Sequence, residues 1–392
     1  MLGRSVKRGQ AALNVRRLAV LWGALAVMGS LATPAENGDL FGRAYGPRGL
    51  LKLKKPAFLW EVWSTEPGEI VGGAATIDEK SVDARYDAER KTILVDLKEP
   101  LTPGEHTIKL SAMLKDGEAV HKTWTVNVAD DAVSALPVTS ESQLKTLGIV
   151  NRFRAELGLE LCTMDDRINA ASLLHSKYLA ANKTTGHHQA EDKPGYFGRT
   201  PIERLETFGF LEDSWEVVEF GALDEAESLQ NLIDAPYHRL PFLQPGAPKF
   251  GSGWDTQRLS AIFSIPKTVG TVAYPFDGQM GVKTTWSKNE RPNPLRIHKD
   301  VRFPVGYPVV FAHFGPGSPV LKVRLAQIND EKDVEVPCHL NTPDNDNELH
   351  NALFLIPKGP LKPNTTYFVR VEASVENGPD VSRIWRFTTG SR

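Results

Sequence analysis

Histidine and glutamate side chains gather in the middle third of the chain. His187 and His188 follow a glycine, Glu219 follows two valines, and His238 precedes an arginine. Neutral imidazole and carboxylate groups both suit zinc, and a histidine beside a glutamate can act as an acid/base pair. The spacing predicts either of these, with His187, Glu219 and His238 as ligands of zinc or another divalent cation. A third alternative is a buried hydrogen-bond network that fixes loops to helices.

The sequence lacks three common catalytic or phosphate-binding motifs, and this limits the chemistry that is expected. The sequence holds no His-Glu-x-x-His, no Gly-x-Ser-x-Gly and no Gly-x-x-x-x-Gly-Lys, which are signatures of zinc proteases, serine hydrolases and phosphate-binding loops. The formal net charge is −2, and no domain concentrates basic residues on one face. Nucleic acid is therefore not expected as a partner.

Three predicted helices and a strand position these groups. Apolar spacing and capping residues predict helices over 143–157, about 165–181 and 224–233. The polar stretch between the second and third helices, 182–223, is long for a connector, and long loops of that kind tend to carry function. Alternating residues over 254–264 predict a strand that ends this central region.

Two similar segments, 100–126 and 360–387, lie outside the central region. Each runs from a Pro-Leu-x-Pro turn through an alternating strand and an Asp-Gly or Asn-Gly hairpin to a strand that begins with tryptophan. Such dipeptides favour two-residue hairpins, and each tryptophan is expected to face a core. The pair resembles the C-terminal hairpin of bacterial immunoglobulin-like modules, so β-sandwiches are predicted over 52–130 and 275–392. Such modules usually act as spacers or binding surfaces.

The N-terminal segment has the pattern of a secretory signal peptide. Basic residues come first, 18–32 carries no charge, and Ser-Leu-Ala at 30–32 suits cleavage. The apolar run of about 15 residues is shorter than the roughly 20 that span a bilayer, although a membrane anchor is the alternative. We therefore predict a signal peptide over 1–32, a linker over 33–51, export from the cytoplasm, and no transmembrane segment after cleavage.

Cysteine usage is low. Cys162 and Cys338 are the two cysteines of the chain, and the predicted domains separate them. An exported compartment would permit a disulfide, but pairing needs a close approach that a sequence does not show. The prediction is two unpaired, buried thiols.

A series of short motifs in the central region resembles the bacterial branch of the CAP superfamily, the SCP-like extracellular domains. In order, the motifs are Asn-Arg-Phe-Arg at 151–154, Gly-His-His-Gln at 186–189, Lys-Pro-Gly-Tyr at 193–196, Thr-Pro-Ile-Glu-Arg at 200–204, Val-Val-Glu at 217–219, Ala-Pro-Tyr-His-Arg at 235–239 and Phe-Gly-Ser-Gly at 250–253. The resemblance implies an α-β-α sandwich over 140–270 with a surface cleft. The whole chain is then a multidomain α+β protein, with this sandwich between two all-β immunoglobulin-like ones.

The resemblance also implies site residues. The cleft of this family commonly holds two histidines and two acidic residues, and some members bind zinc or another divalent ion there. His187 matches the first histidine, with His188 as a substitute if the alignment shifts by one. Glu219 matches an acid and His238 the histidine of a His-Arg motif. The family's second cleft histidine usually sits on the late strand, but 258–263 has none, so a metal here would need His238.

These observations leave three functions open. The first is non-catalytic binding of a small apolar ligand, a glycan, a peptide or a cell-envelope component at the cell surface or in the periplasm. The second is a hydrolase acting on peptide or cell-wall material, in which His187 orients a metal or water and Glu219 is the base. The third is a passive structural element of the envelope. The hydrolase requires His187 and Glu219 to lie on the same face of the fold.

Overall fold

Three sandwich modules follow one another along the chain. The computed structural model describes residues 33–34, 40–66, 68–287, 290–317 and 319–391. The predicted signal peptide, 1–32, lies outside the described residues. No helix in the described part of the chain combines the length and hydrophobicity that a membrane span needs.

The N-terminal module packs two antiparallel-rich sheets face to face. Its strands are β1 (Thr33–Pro34), β2 (Leu40–Gly46), β3 (Gly49–Leu53), β4 (Ala57–Ser64), β5 (Ile70–Ile77), β6 (Lys80–Val82), β7 (Arg85–Asp87), β8 (Thr92–Asp96), β9 (Gly104–Leu114) and β10 (Ala119–Val133). The sheet orders are β1-β2-β4-β8-β7 and β3-β10-β9-β5-β6. Inward side chains such as Phe58, Ile93 and Leu110 form a core that belongs to this module alone.

The prediction of a linker over 33–51 is wrong for its second half. β2 pairs with β4 in one sheet and β3 pairs in parallel with β10 in the other. An irregularity between Gly42 and Tyr45 breaks the ladder of β2, and the chain then crosses to the other sheet. The alternation of residues along β2 and β3 is therefore interrupted and too short to be recognised as strands in the sequence.

The central module has helices on both faces of a four-stranded sheet. Its elements are α1 (Glu141–Glu156), β11 (Thr163–Met164), α2 (Asp166–Ala181), α3 (Pro201–Glu206), β12 (Ser214–Phe220), α4 (Glu225–Asp234), α5 (Pro236–Arg239), a 3-10 turn (Leu240–Leu243), β13 (Lys249–Asp255) and β14 (Arg258–Ser264). The sheet order is β11-β13-β14-β12. The three predicted helices are confirmed, but the predicted loop over 182–223 contains α3 and β12.

Alternation along β14 separates the two faces of this sheet. Leu259, Ala261 and Phe263 join the core under α1 and α4, whereas Ile262 joins the core under α2 and α3. Helix α2 lies so close to the sheet that a Cβ on Gly253 would come within 2.2 Å of the backbone of α2. The expected α-β-α sandwich is confirmed.

The C-terminal module is a second β-sandwich. Its elements are β15 (Gly270–Tyr274), β16 (Gln279–Val282), a 3-10 turn (Pro294–Ile297), β17 (Val309–Phe314), β18 (Leu321–Asp330), β19 (Cys338–Asn341), β20 (Ala352–Pro357), β21 (Thr366–Val375) and β22 (Asp380–Thr389). The sheet orders are β15-β17-β20-β19 and β16-β22-β21-β18. The multidomain α+β class predicted from the sequence is confirmed.

Each outer sandwich is closed by a tryptophan on its last long strand. The indole nitrogen of Trp124 donates to the carbonyl oxygen of Pro47 at 2.9 Å, and that of Trp385 donates to Pro275 at 2.9 Å. Both tryptophans are buried, as predicted. The sequence repeat therefore encodes the same anchor twice, joining the closing hairpin to an early segment of its module.

The central and C-terminal modules share one continuous core. Phe153 of α1 packs on Tyr274 of β15 with ring centroids 5.3 Å apart. Arg239 is 0% exposed and donates to the carbonyl oxygens of Ile233, Asp234 and Pro308. Its guanidinium also lies over the rings of Tyr274 and Tyr307, at 4.5 and 5.0 Å. Arg239 thus binds both modules at once.

The N-terminal module contacts the central one through a separate, smaller apolar cluster and a few polar pairs. Leu53 joins the apolar cluster under α2 and α3, and the N–H of Lys52 donates to the carbonyl oxygen of Thr207 at 2.7 Å. Arg48, whose side chain is 52% exposed, pairs with Glu206 at 2.7 Å. This junction therefore depends on a few edge contacts.

Cys162 and Cys338 are both free thiols. Burial raises the pKa of Cys162 to about 11 and that of Cys338 to about 12. Both sulfurs therefore stay protonated near neutral pH, where the thiolate is the reactive species. The prediction of two unpaired thiols is confirmed.

Candidate functional site

The imidazole of His187 lies at the surface end of a buried polar cluster. Its Nδ1 is 2.9 Å from Oε2 of Glu216 on β12. The side chain of His187 is 37% exposed and that of Glu216 only 1%. The carboxylate therefore accepts the Nδ1 proton from within the protein and leaves Nε2 towards solvent.

Arg204 fixes Glu216 in place. Helix α3 begins after the N-cap Thr200 and carries Arg204, whose Nη2 donates to Oε1 of Glu216 at 2.8 Å. The hydroxyl of Ser260 donates to the same oxygen at 2.9 Å. Burial by itself would raise the pKa of Glu216, but the charge of Arg204, with His175 and His187, outweighs it and holds that pKa well below its ordinary value. Glu216 is therefore a fixed anion.

His175 lies behind this cluster as a neutral imidazole. It is 0% exposed, its Nε2 donates to the carbonyl oxygen of Gly186 at 3.1 Å, and its Nδ1 accepts from the amide of Gln189 at 3.1 Å. Burial lowers the pKa of His175 to about 4. His175 thus secures the loop that presents His187.

The prediction that Glu219 shares a site with His187 is wrong. Successive side chains of a strand point to opposite faces, so Glu216 and Glu219, three residues apart, lie on opposite faces of β12. Glu219 faces α4, where Ser228 Oγ and Asn231 Nδ2 donate to it at 2.9 and 3.1 Å. Glu216 is the acid that the sequence comparison missed. The sequence shows that alternate residues of β12 share a face, but which of the two faces lies towards α4 is decided only by the packed sheet.

A second buried carboxylate holds His238. Oε1 of Glu290 accepts from the backbone N–H of His238 at 2.9 Å and lies 2.7 Å from its Nδ1. The side chain of Glu290 is 0% exposed, and its Oε2 has no hydrogen-bond partner in the described structure. Nothing in the sequence pointed to Glu290, because it lies beyond the central region.

His187 and His238 line the same cleft. This cleft of about 180 Å³ lies between the central module and the C-terminal sandwich. Trp215, Glu216 and Gln244 line it from the central side, and the C-terminal sandwich contributes residues that include Phe314, Glu348 and His350. The sequence therefore predicted two of the imidazoles of the cleft but not the wall opposite them.

The residues present do not fit a metal centre. Within the described ranges, no group of three or more histidine, cysteine, aspartate and glutamate side chains is placed to hold a metal ion. Glu219 faces the other side of the sheet, and both oxygens of Glu216 already accept hydrogen bonds. The metal site predicted from His187, Glu219 and His238 therefore does not form. His188 is exposed, and partial desolvation of its ring, together with the charge of His187, lowers its pKa.

Comparisons with known proteins identify the central module. Residues 147–260 match the model of the CAP family, described as the cysteine-rich secretory protein family. This chain therefore carries a CAP domain. No curated protein matches it.

The chain is also similar to several solved structures. An extracellular protein containing an SCP domain from Bacillus anthracis is 16% identical, with 68% of this chain and 100% of that chain covered and a TM-score of 0.29. A cysteine-rich secretory protein from Staphylococcus aureus is 10% identical, with 60% and 88% covered and a TM-score of 0.25. CopC from Methylosinus trichosporium OB3b is 16% identical, with 23% and 93% covered and a TM-score of 0.19.

Proposed function

We propose that this chain is an exported binding protein that holds a small apolar ligand, a glycan or a peptide in the cleft between its CAP domain and its C-terminal sandwich. The observation that carries the proposal is the cleft itself, in which an imidazole held by a buried carboxylate meets aromatic and proline-rich walls. Clefts of mainly apolar lining with a few fixed polar groups are typical of ligand sites. The signal-peptide pattern supports a location at the cell surface or in the periplasm.

The chemistry of the lining favours binding over catalysis. Glu216 is paired with Arg204 and has a low pKa, so it cannot take up a proton near neutral pH. Among the described residues that line the cleft, none is a serine, threonine, cysteine or lysine, the usual nucleophiles. The lining therefore offers fixed hydrogen-bonding groups and no activated nucleophile of these types.

A thermal-shift panel of fatty acids, glycans and peptides tests the proposal on the full mature chain. Any member that binds the folded state and not the unfolded one raises Tm, and the rise grows with the logarithm of its concentration relative to Kd. We expect the rise to be lost in His187→Ala and retained in His188→Ala, because His188 is exposed and does not line the cleft. A ligand that stabilises His187→Ala as strongly as the wild type would contradict the proposed site.

The hydrolase is the second candidate, and the two histidine–glutamate pairs favour it. In both pairs the carboxylate binds Nδ1, the arrangement that orients an imidazole as a general base. Glu219 takes no part in this proposed hydrolysis. Mass spectrometry of peptides and cell-wall fragments after incubation provides the test. Turnover that disappears in His187→Ala or His238→Ala, with unchanged circular dichroism, would replace binding by hydrolysis.

A further inference from the structure

The cleft runs along the open edge of the central sheet. β12 is the last strand of that sheet and pairs only with β14 among the described strands. Three consecutive residues, Trp215, Glu216 and Val217, line the cleft. Because consecutive side chains point to opposite faces of a strand, one cavity reaches all three only if it lies against the strand's edge.

The register shows which backbone groups face that cavity. In an antiparallel pair, hydrogen-bonded residue pairs alternate with non-bonded ones. Asp213 accepts from the N–H of Ile265 at 2.8 Å, and the N–H of Gly221 donates to Gln257 at 3.0 Å. Odd-numbered residues of β12 therefore bond to β14. The N–H and C=O groups of the even-numbered residues, which are Ser214, Glu216, Val218 and Phe220, point to the open edge, and in the described structure they have no partner there. Of these four residues, Glu216 lines the cleft.

A side-chain donor without a partner lies in the same cleft. Gln244 is 2% exposed and lines the cleft, yet its Nε2 has no hydrogen-bond partner in the structure described here. Buried polar groups are normally paired, and each exception calls for an explanation. Five prolines also line the cleft, and they offer carbonyl oxygens but no N–H. The cleft therefore presents unpaired backbone groups of one strand and an unpaired amide donor.

The charges of the lining favour an acidic ligand. Arg291 is exposed and lines the cleft, as do the imidazoles of His187 and His238. Of the two carboxylates among the described lining residues, Glu216 is already paired with Arg204. Glu348 is the other carboxylate of the lining, and Glu290, buried behind His238, is already bound to that histidine. Arg291 is then the group of the lining to which a ligand carboxylate can bind.

We propose that an extended peptide with a carboxylate side chain adds to the edge of β12 as a further strand, with its carboxylate towards Arg291 and its backbone paired to Glu216 and Val218. Strand addition of this kind takes affinity from main-chain hydrogen bonds and specificity from pockets for alternate side chains. Gln244 donates to a carbonyl oxygen of the peptide. This inference rests on the proposed function, since it names the ligand class of the same cleft.

An array of blocked octapeptides tests it with the fluorescently labelled mature chain. The peptides alternate β-branched and variable residues, with a central glutamate or a lysine in its place. We expect binding of glutamate peptides only. N-methylation of the amides along one edge should lower affinity about tenfold, the equivalent of one or two backbone hydrogen bonds, while methylation along the other edge should not. Equal binding of both methylated series, or none of any peptide, would overturn the proposal.

Two variants separate this inference from the proposed function. Gln244→Met should weaken the best peptide about three- to tenfold because one hydrogen bond is lost, whereas Gln327→Met on β18, outside the cleft, should not. If no peptide of the array binds, but a fatty acid or glycan raises Tm in the wild type and not in His187→Ala, the proposal of strand addition is wrong and the proposed binding function is supported. If neither peptides nor the panel bind, both fail.

Discussion

The two outer sandwiches use the same internal anchor but are attached to the CAP domain in different ways. Trp124 and Trp385 make equivalent bonds to proline carbonyls. The C-terminal sandwich continues the core of the CAP domain and supplies one wall of its cleft. The N-terminal sandwich keeps a main core of its own, and it touches the CAP domain through Leu53, which joins the cluster under α2 and α3, and through polar contacts such as Arg48–Glu206.

This difference assigns the sandwiches different roles. A module that shares a core with its neighbour unfolds with it, whereas a module with its own core can open separately. The C-terminal sandwich is therefore expected to be part of the ligand site. The N-terminal sandwich is expected to influence that site little. Hydrogen exchange measured by mass spectrometry follows each module separately and can test whether the two sandwiches are attached to the CAP domain in different ways.

Arg239→Ala should have the largest effect. The change leaves three carbonyl oxygens without a donor and opens space between Tyr274 and Tyr307. Removing one partner from a buried, charge-assisted network typically costs about 3–5 kcal/mol. We expect faster exchange in both the CAP domain and the C-terminal sandwich, and no change in the N-terminal one. Loss of protection confined to one of the two modules would show that they do not form a unit.

Acid should act in opposite directions on two buried histidines, His175 of the CAP domain and His106 of the N-terminal sandwich. Burial lowers the pKa of His175 to about 4, below the ordinary value near 6.5, so its stabilising contribution is complete above about 6.5. That contribution, about 3 kcal/mol, is lost as pH falls towards 4. In the N-terminal sandwich, burial opposes charge on His106, but the Thr102 carbonyl and Asp78 outweigh it and raise its pKa.

The contribution of His106 is therefore complete below its ordinary pKa and is lost as pH rises through the raised value. Between pH 7 and 5, the contribution of His175 to the free energy of unfolding should fall and that of His106 should rise. In the N-terminal sandwich, His121 opposes His106, because burial lowers the pKa of His121. Denaturant titrations at several pH values, followed by exchange of each module, measure both trends. The stability difference between the wild type and His106→Gln should grow as pH falls from 7 to 5, and a difference that shrinks would contradict the assignment.

A matched pair of tryptophan variants comes next. Trp385→Phe and Trp124→Phe each remove one bond to a proline carbonyl and part of a ring, at a cost of about 1–2 kcal/mol. The cost of Trp385→Phe should extend into the CAP domain and that of Trp124→Phe should stay in its own sandwich. If the two variants affect the CAP domain equally, the shared core does not transmit the change.

Arg48→Ala should have the smallest effect. An exposed ion pair contributes about 0–1 kcal/mol, and Arg48 is half exposed beside Glu206. We expect unchanged exchange in the CAP domain and unchanged ligand-induced Tm shifts. A loss comparable to that of Arg239→Ala would mean that the N-terminal junction is as firm as the C-terminal one.

The sequence predicted the elements of the fold better than the partners within the site. Helix caps and apolar spacing are local, so α1, α2 and α4 were predicted within a residue or two of their ends. His187 and His238 both line the cleft, and their role in a site stays a prediction. Which glutamate joins His187 depends on the face that β12 presents, and only the packed sheet decides this. Glu290 and Gln244 gain their roles from long-range packing, which leaves no local pattern.

The buried guanidinium of Arg239 also bears on how this architecture can be rearranged by recombination. Three nitrogens of one side chain donate to carbonyls on both sides of the junction, and its guanidinium lies over two rings of the C-terminal sandwich, so neither side can be exchanged for a homologous piece without a matching partner. The CAP domain and the C-terminal sandwich are therefore expected to be inherited together, and to be transferred to another protein only as one unit. The N-terminal sandwich can be gained, lost or replaced at far smaller cost.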